Sequence, residues 1–198
     1  MNKLILYGDS NTYGYDPRNM MGGRFPDSIR WATHVADAFK DSYLVIEEGL
    51  NGRQLPVSRS GRISRFLENM VSDLGPGDVI MMMLGTNDVL LTNQPNADLA
   101  IEKMKTLLTW YKAGNYPFKL IVVAPVPISD VNDDMTPYHK ESLRMNAGYK
   151  DLCADSNIPL IDTTDWDIPM AFDGVHIAED SQKIFSEKII SSLRLALA

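Results

Sequence analysis

The sequence predicts a three-layer α/β/α sandwich built on a five-stranded parallel sheet, and three observations carry that reading. Five short apolar runs recur along the 198 residues: Leu4–Tyr7, Tyr43–Ile46, Val79–Leu84, Leu120–Ala124 and Ile158–Ile161. They are continuous rather than alternating, as expected of strands buried on both faces. Amphipathic stretches separate them, which is the strand–helix alternation of a covered parallel sheet. Nothing between them reads as a Pro/Ser linker, a repeat or a low-complexity tract, so a single domain over 1–198 is expected.

Element by element, the first run leads into Gly8-Asp9-Ser10-Asn11-Thr12, a turn-forming sequence. Ser28–Phe39 follows with Ile29, Ala32, Val35, Ala36 and Phe39 at helical spacing, and with Arg30, His34 and Asp37 on a polar face. That periodicity makes His34 a solvated surface residue. Helices are further expected over about 60–73, 98–113, 137–155 and 179–197, the fourth started by Thr136 as N-cap with Pro137 behind it. The Met81-Met82-Met83 run falls inside the third strand and reads as sheet core. Cys153 reads as a small core residue on a helix.

Composition limits the function classes. Nineteen Lys+Arg against 26 Asp+Glu leave a net charge of −7, with a pI near 4.9, the wrong sign for a surface that tracks nucleic-acid phosphates. A single cysteine forms no internal disulfide and builds no thiolate metal site. The apolar run at Leu4–Tyr7 is shorter than the roughly 7–15 residues of a secretory signal core. No run reaches the ~20 residues of a membrane span. A cytoplasmic protein without nucleic-acid or membrane partners is expected.

Ligands of open parallel sheets bind beyond the carboxyl ends of the strands, so the chemistry is sought in Gly8–Gly14, Glu47–Arg53, Gly85–Asp88, Pro125–Asp134 and Asp162–His176. Three histidines are present. His176 stands apart because Asp173 precedes it by three residues, close enough in a tight turn to orient the imidazole and stabilise its cation. His139, in the first turn of a helix, is the weaker candidate base. Ser10, directly after the first strand, is a candidate nucleophile. In Gly85-Thr86-Asn87-Asp88, Asn87 can offer an amide N–H to an oxyanion and Asp88 can cap a following helix. Gly52 can bring a backbone N–H close to a ligand without obstruction. Asp130, Asn132, Asp134 and Glu141 match positions of a calcium loop, but Met135 stands where its sharp turn requires glycine. The G-x-S-x-G elbow of α/β-hydrolases is absent.

Gly8-Asp9-Ser10, the loop ending in Gly52, Gly85-Thr86-Asn87-Asp88 and Asp173-Gly174-Val175-His176 together resemble the four blocks of the SGNH hydrolases, the GDSL-type esterases. They occur in the family's order across residues 8–176. Glu47–Arg53 and Arg30-Trp31 further resemble the arylesterase/acyltransferase branch, whose members can perform perhydrolysis. The resemblance implies the flavodoxin-like strand order 2-1-3-4-5 and a serine esterase of small carboxylic esters that needs neither metal nor organic cofactor. It implies Ser10 as nucleophile, His176 as base, Asp173 as its partner, and an oxyanion hole from the Ser10 and Gly52 N–H groups and the Asn87 amide. Homo-oligomers occur in that branch, so assembly is an expectation by analogy. The first block departs from the motif's name at Asn11, where the name has Leu, which bears on pocket polarity. Tyr13, Tyr15, Trp31 and the 125–136 loop are candidate pocket walls.

Two other readings compete. In a flavodoxin-like binding or electron-transfer module, Ser10, Asn11 and Thr12 would hold a flavin phosphate, which leaves Asp173 and His176 without a task. A catalytically dead protein that only binds acylated ligands is the third.

Overall fold

The computed structural model describes residues 1–19, 21–92 and 94–198. Strands β1 (Asn2–Gly8), β2 (Tyr43–Gly49), β3 (Val79–Met83), β4 (Lys119–Ala124) and β5 (Leu160–Asp162) form one sheet. Its order is β2-β1-β3-β4-β5, and every neighbouring pair is parallel. The expected architecture and strand order are present.

Alternation along each strand divides the core in two. Ile5, Tyr7, Ile80, Met82, Leu120 and Val122 face one layer. It consists of α3 (Arg65–Ser72), α5 (Asp98–Gly114) and α6 (Thr136–Ser156), which contribute Leu67, Val71, Met104, Leu107, Met145 and Tyr149. Leu4, Leu6, Met81, Met83, Ile121 and Val123 face the other. There α2 (Trp31–Phe39) and α7 (Gln182–Leu197) present Trp31, Val35, Phe185, Ile189 and Leu193. The three consecutive methionines are therefore core on both sides of the sheet. Cys153 is buried in the first layer, and burial pushes its thiol up to about 11, which leaves it unreactive at neutral pH.

Two short helices lie where the sequence suggests only turns: α1 (Ser10–Tyr13) and α4 (Thr86–Leu90). Neither is long enough to show a 3.6-residue period. Other boundaries shift by a few residues. The helix expected from 28 begins at Trp31, and that expected from about 60 begins at Arg65, where the Ser64 hydroxyl accepts from Leu67 N–H. Thr136 is already helical rather than the cap of α6, and a 3₁₀ turn over Glu179–Ser181 precedes α7.

Two residues assigned to the polar face of α2 are held inside. Arg30 is 4% exposed and pairs with Glu47 and Asp27. His34 is half-buried and bridges Ser28 O and the Ser186 hydroxyl, tying α2 to α7. Glu47 and Ser186 come from elsewhere in the chain, so the helical period alone does not reveal them.

The register brings three loops to one point. Gly8 pairs with Gly49 on one side and Met83 on the other, so β1, β2 and β3 end level. The chain turns back tightly here: a Cβ on Gly49 would lie 2.2 Å from the Tyr13 nitrogen, and one on Gly8 2.0 Å from Thr12 Oγ1. Glycine at both positions is what lets α1 sit directly on the strand ends. Among the described residues, no helix is long and apolar enough to cross a membrane.

Candidate active site

Asp9 follows the first strand and caps α1, its Oδ1 accepting the Asn11 N–H at 2.9 Å. Ser10 is thereby the first helical residue, fixed at the carboxyl edge of the sheet and 8% exposed. After β5 the chain returns over the same edge. A turn at Asp173–Ile177 places His176 Nε2 2.9 Å from Ser10 Oγ.

That turn is built by one carboxylate. Asp173 Oδ1 accepts the backbone N–H groups of Val175 and His176, each at 3.0 Å. Its Oδ2 accepts from His176 Nδ1 at 2.6 Å. With a carboxylate at Nδ1, the network assigns the ring proton there, leaving the Nε2 lone pair toward the serine hydroxyl. Burial alone would raise the Asp173 carboxyl, but the hydrogen bonds from His176 and the two backbone N–H groups outweigh it and hold the group below its ordinary value. The side chains of His176 and Asp173 are only 15% and 26% exposed. A serine, an imidazole and a carboxylate in this arrangement can transfer a proton from Oγ to Nε2 while the carboxylate stabilises the imidazolium.

Asn87, in α4, is 9% exposed. Its Nδ2 donates to Arg53 O at 3.1 Å and lies 3.5 Å from Asp9 Oδ2. The second separation is too long for a good hydrogen bond, which leaves one amide N–H available to an incoming oxyanion. Asp9 is fully buried, and that burial raises its carboxyl to about 6. Gly52 is an exposed residue of the Leu50–Arg53 turn with φ +73°. The turn is closed by Arg53 N–H to Leu50 O at 3.1 Å and hung from β1 by Leu50 N–H to Gly8 O, also 3.1 Å. Ser10, His176 and Asp173 thus form one hydrogen-bonded series, Asn87 Nδ2 lies beside Asp9, and the turn that carries Gly52 is tied to Gly8.

Several roles differ from the sequence reading. Asp88 does not cap a helix; it lies inside α4, with no exposed surface. Its Oδ2 accepts Leu55 N–H at 2.8 Å and its Oδ1 pairs with Lys103 Nζ at 2.7 Å, stapling α4 to the loop that carries Gly52. Trp31 is no pocket wall: it is fully buried, and its indole N–H donates to Asn11 O at 2.8 Å. Asn11 adds no polarity to a pocket either, because its amide is spent on Val175 O and Ile177 N–H. Tyr15 does border the site, its ring 4.7 Å from that of His176. His139 is engaged elsewhere, with Nδ1 2.6 Å from Ile128 O. In the acidic loop, Asp130 accepts from Thr136, and Glu141 binds Ala97 N–H and Arg144. Among the described residues, no group of three or more His, Cys, Asp or Glu is placed to hold a metal ion.

Lys103 is the residue that sequence reasoning missed altogether. It sits on a helix at a position that reads as polar surface, and only its buried partner gives it away.

Residues 6–183 match the model of the GDSL-like lipase/acylhydrolase family. Among solved structures, a candidate arylesterase from Agrobacterium tumefaciens is similar at 25% identity and TM-score 0.77, over 98% of this chain and 99% of that one. A carbohydrate acetylesterase family member from Sinorhizobium meliloti superposes at TM-score 0.80 and 23% identity, over 100% and 99% of the two chains. The M. smegmatis aryl esterase does so at 0.78 and 21%, over 98% and 99%. No curated protein matches the chain.

Proposed function

Given that the chain belongs to the GDSL-like lipase/acylhydrolase family, we propose that it is a serine esterase acting on small carboxylic esters through an acyl-serine intermediate. The observation that carries the reading is the unbroken line from Asp173 Oδ2 through His176 to Ser10 Oγ, at 2.6 and 2.9 Å.

Ser10 Oγ attacks the ester carbonyl as His176 Nε2 takes its proton. Negative charge gathers on the carbonyl oxygen, where the N–H groups of Ser10 and Gly52 and the free N–H of Asn87 donate to it. Collapse of the intermediate expels the alcohol, which leaves with the proton from His176. A second acceptor then attacks acyl-Ser10: water gives hydrolysis, another alcohol gives acyl transfer. No step calls for a metal or an organic cofactor. A flavin-binding module fits less well, because the Ser10 and Asn11 side chains needed for a phosphate are bonded to the His176 turn.

We read the substrate as an uncharged ester with an apolar part. Leu50, Val131 and Phe172 are exposed, Leu50 in the turn that carries Gly52 and the other two beside the Asp173–His176 turn. Such side chains in water favour an apolar ligand, and the net charge of −7 disfavours anionic ones. The test compares phenyl acetate with an acetylated monosaccharide, with Ser10→Ala as control. The expected result is a kcat/KM for the aryl ester at least tenfold higher and lost in Ser10→Ala. A preference for the sugar would assign the site to carbohydrate esters. Hydrolysis of neither would overturn the esterase reading.

A further inference from the structure

We propose that Asn11 is a positioning residue for the general base, and that its contribution is greatest in deacylation. The inference rests on the serine-esterase reading and goes beyond it.

Asn11 follows the nucleophile and is itself immobilised. Its N–H is held by Asp9 Oδ1 at 2.9 Å and its carbonyl by the Trp31 indole at 2.8 Å. Its side-chain amide then spans the base: Nδ2–H donates to Val175 O at 3.0 Å, and Oδ1 accepts from Ile177 N–H at 2.9 Å. The two bonds bracket His176 on both sides along the chain. The amide orientation is fixed by its partners, since a flipped amide would set oxygen against oxygen and N–H against N–H. Asn11 is 8% exposed, so water competes poorly for either bond.

The Asp173–His176 turn is rigid within itself, and Ser129 N–H secures Gly174 O at 2.7 Å. Those contacts fix the turn's shape and its tie to the segment after β4. They do not fix its distance from α1. Among the described residues, the side-chain hydrogen bonds that join it to α1 are Ser10–His176 and the two of the Asn11 amide, beside the Tyr15 ring packed on His176.

The first link disappears during turnover. Once Ser10 Oγ carries the acyl group it has no proton to share with His176. In deacylation, water attacks the acyl carbonyl as His176 Nε2 takes its proton. The tetrahedral intermediate then collapses, the Ser10 alkoxide recovers that proton from His176, and the carboxylic acid departs. Throughout this half-reaction the Asn11 amide keeps its two hydrogen bonds to either side of the base, directional restraints that the ring contact of Tyr15 does not supply. Leucine, the residue in the motif's name, can make neither bond.

The experiment follows p-nitrophenyl acetate turnover by the native protein and by Asn11→Leu and Asn11→Asp. The aspartate keeps an acceptor for Ile177 N–H but turns a carboxylate oxygen toward Val175 O. Both variants are expected to lose roughly 10- to 100-fold in kcat, on the scale of a misplaced catalytic group. KM should stay level or fall. A burst of nitrophenol and an acetyl-Ser10 mass adduct should build up in the variants beyond the native level, which a loss of stability alone would not produce. Folded variants with kcat within twofold of native and no adduct build-up would overturn the proposal. Should neither variant fold, the native protein decides: the Asn11 side-chain N–H should be protected from hydrogen exchange, and fast exchange would refute the clamp. If native turnover proves independent of Ser10, it is the esterase reading that fails instead.

Discussion

Asp173 grips His176 twice, accepting its backbone N–H at 3.0 Å with one oxygen and its ring Nδ1 at 2.6 Å with the other. This carboxylate and imidazole therefore belong to one turn, whose internal geometry is set by Asp173. What remains to be fixed is where that turn stands relative to Ser10. Because Asp173 is held below the ordinary carboxylate value, the grip is present above that value and is lost only as acid protonates it.

His176, and not His139, is expected to act as the base. His176→Ala should lower kcat for aryl ester hydrolysis by roughly 10³-fold or more, as for a triad member acting within a unit. His139→Ala should leave kcat within a few-fold, because that imidazole is committed to Ile128 O. Steady-state kinetics on both folded variants checks the assignment, and a larger loss at His139 would reverse it.

Asn87→Ala should lower kcat by roughly 10²–10³ with little change in KM, because the donor matters mainly once charge has formed. Asn87→Asp should be no better, since a carboxylate donates nothing and repels the oxyanion. Measuring kcat beside thermal unfolding separates this from a turn-shaping role, which would lower the melting temperature and leave kcat near normal.

Asp9 makes stability depend on pH. Its carboxyl is raised from 3.8 to about 6 by burial, so between those values the folded state keeps a proton the unfolded chain has released. Stability attributable to this group falls as pH rises through that window. Asparagine can retain the cap without titrating. The stability of Asp9→Asn relative to native should therefore grow from pH 4 to pH 7 by on the order of 3 kcal/mol at most. Denaturant unfolding at several pH values reads this directly, and a difference that stays constant with pH would contradict it.

Lys103→Met should destabilise the fold by about 3–5 kcal/mol, the usual consequence of leaving a buried carboxylate unpaired. Asp88 has raised its carboxyl through burial, with Lys103 opposing the rise, so the two act as a pair. The double variant Lys103→Met/Asp88→Asn should recover part of the loss. A double-mutant cycle in urea measures the coupling, and additive effects would show that there is none.

The legibility of the sequence follows from how local each signal is. Apolar runs announce all five strands: β1, β3 and β4 are buried on both faces, and the edge strands β2 and β5, only partly buried, still carry apolar residues toward the core. Asp173 and His176 are readable because their contact spans three residues, and Ser10 because strand ends are where such sheets act. Asn87 and Gly52 needed the family resemblance, since each alone is ordinary turn chemistry. The rest was hidden by distance along the chain. Arg30, His34 and Lys103 look like surface residues until Glu47, Ser186 and Asp88 are seen against them. The role of Asn11 was visible only as a departure from leucine, and the partner that explains it lies 166 residues away.

Whether Ser10 is the nucleophile is read from the intact mass of the protein after reaction with a serine-directed phosphonate. A single adduct is expected on the native protein, mapped to Ser10 and absent from a folded Ser10→Ala. An adduct that persists in Ser10→Ala, or that maps to another residue, would contradict the nucleophile assignment.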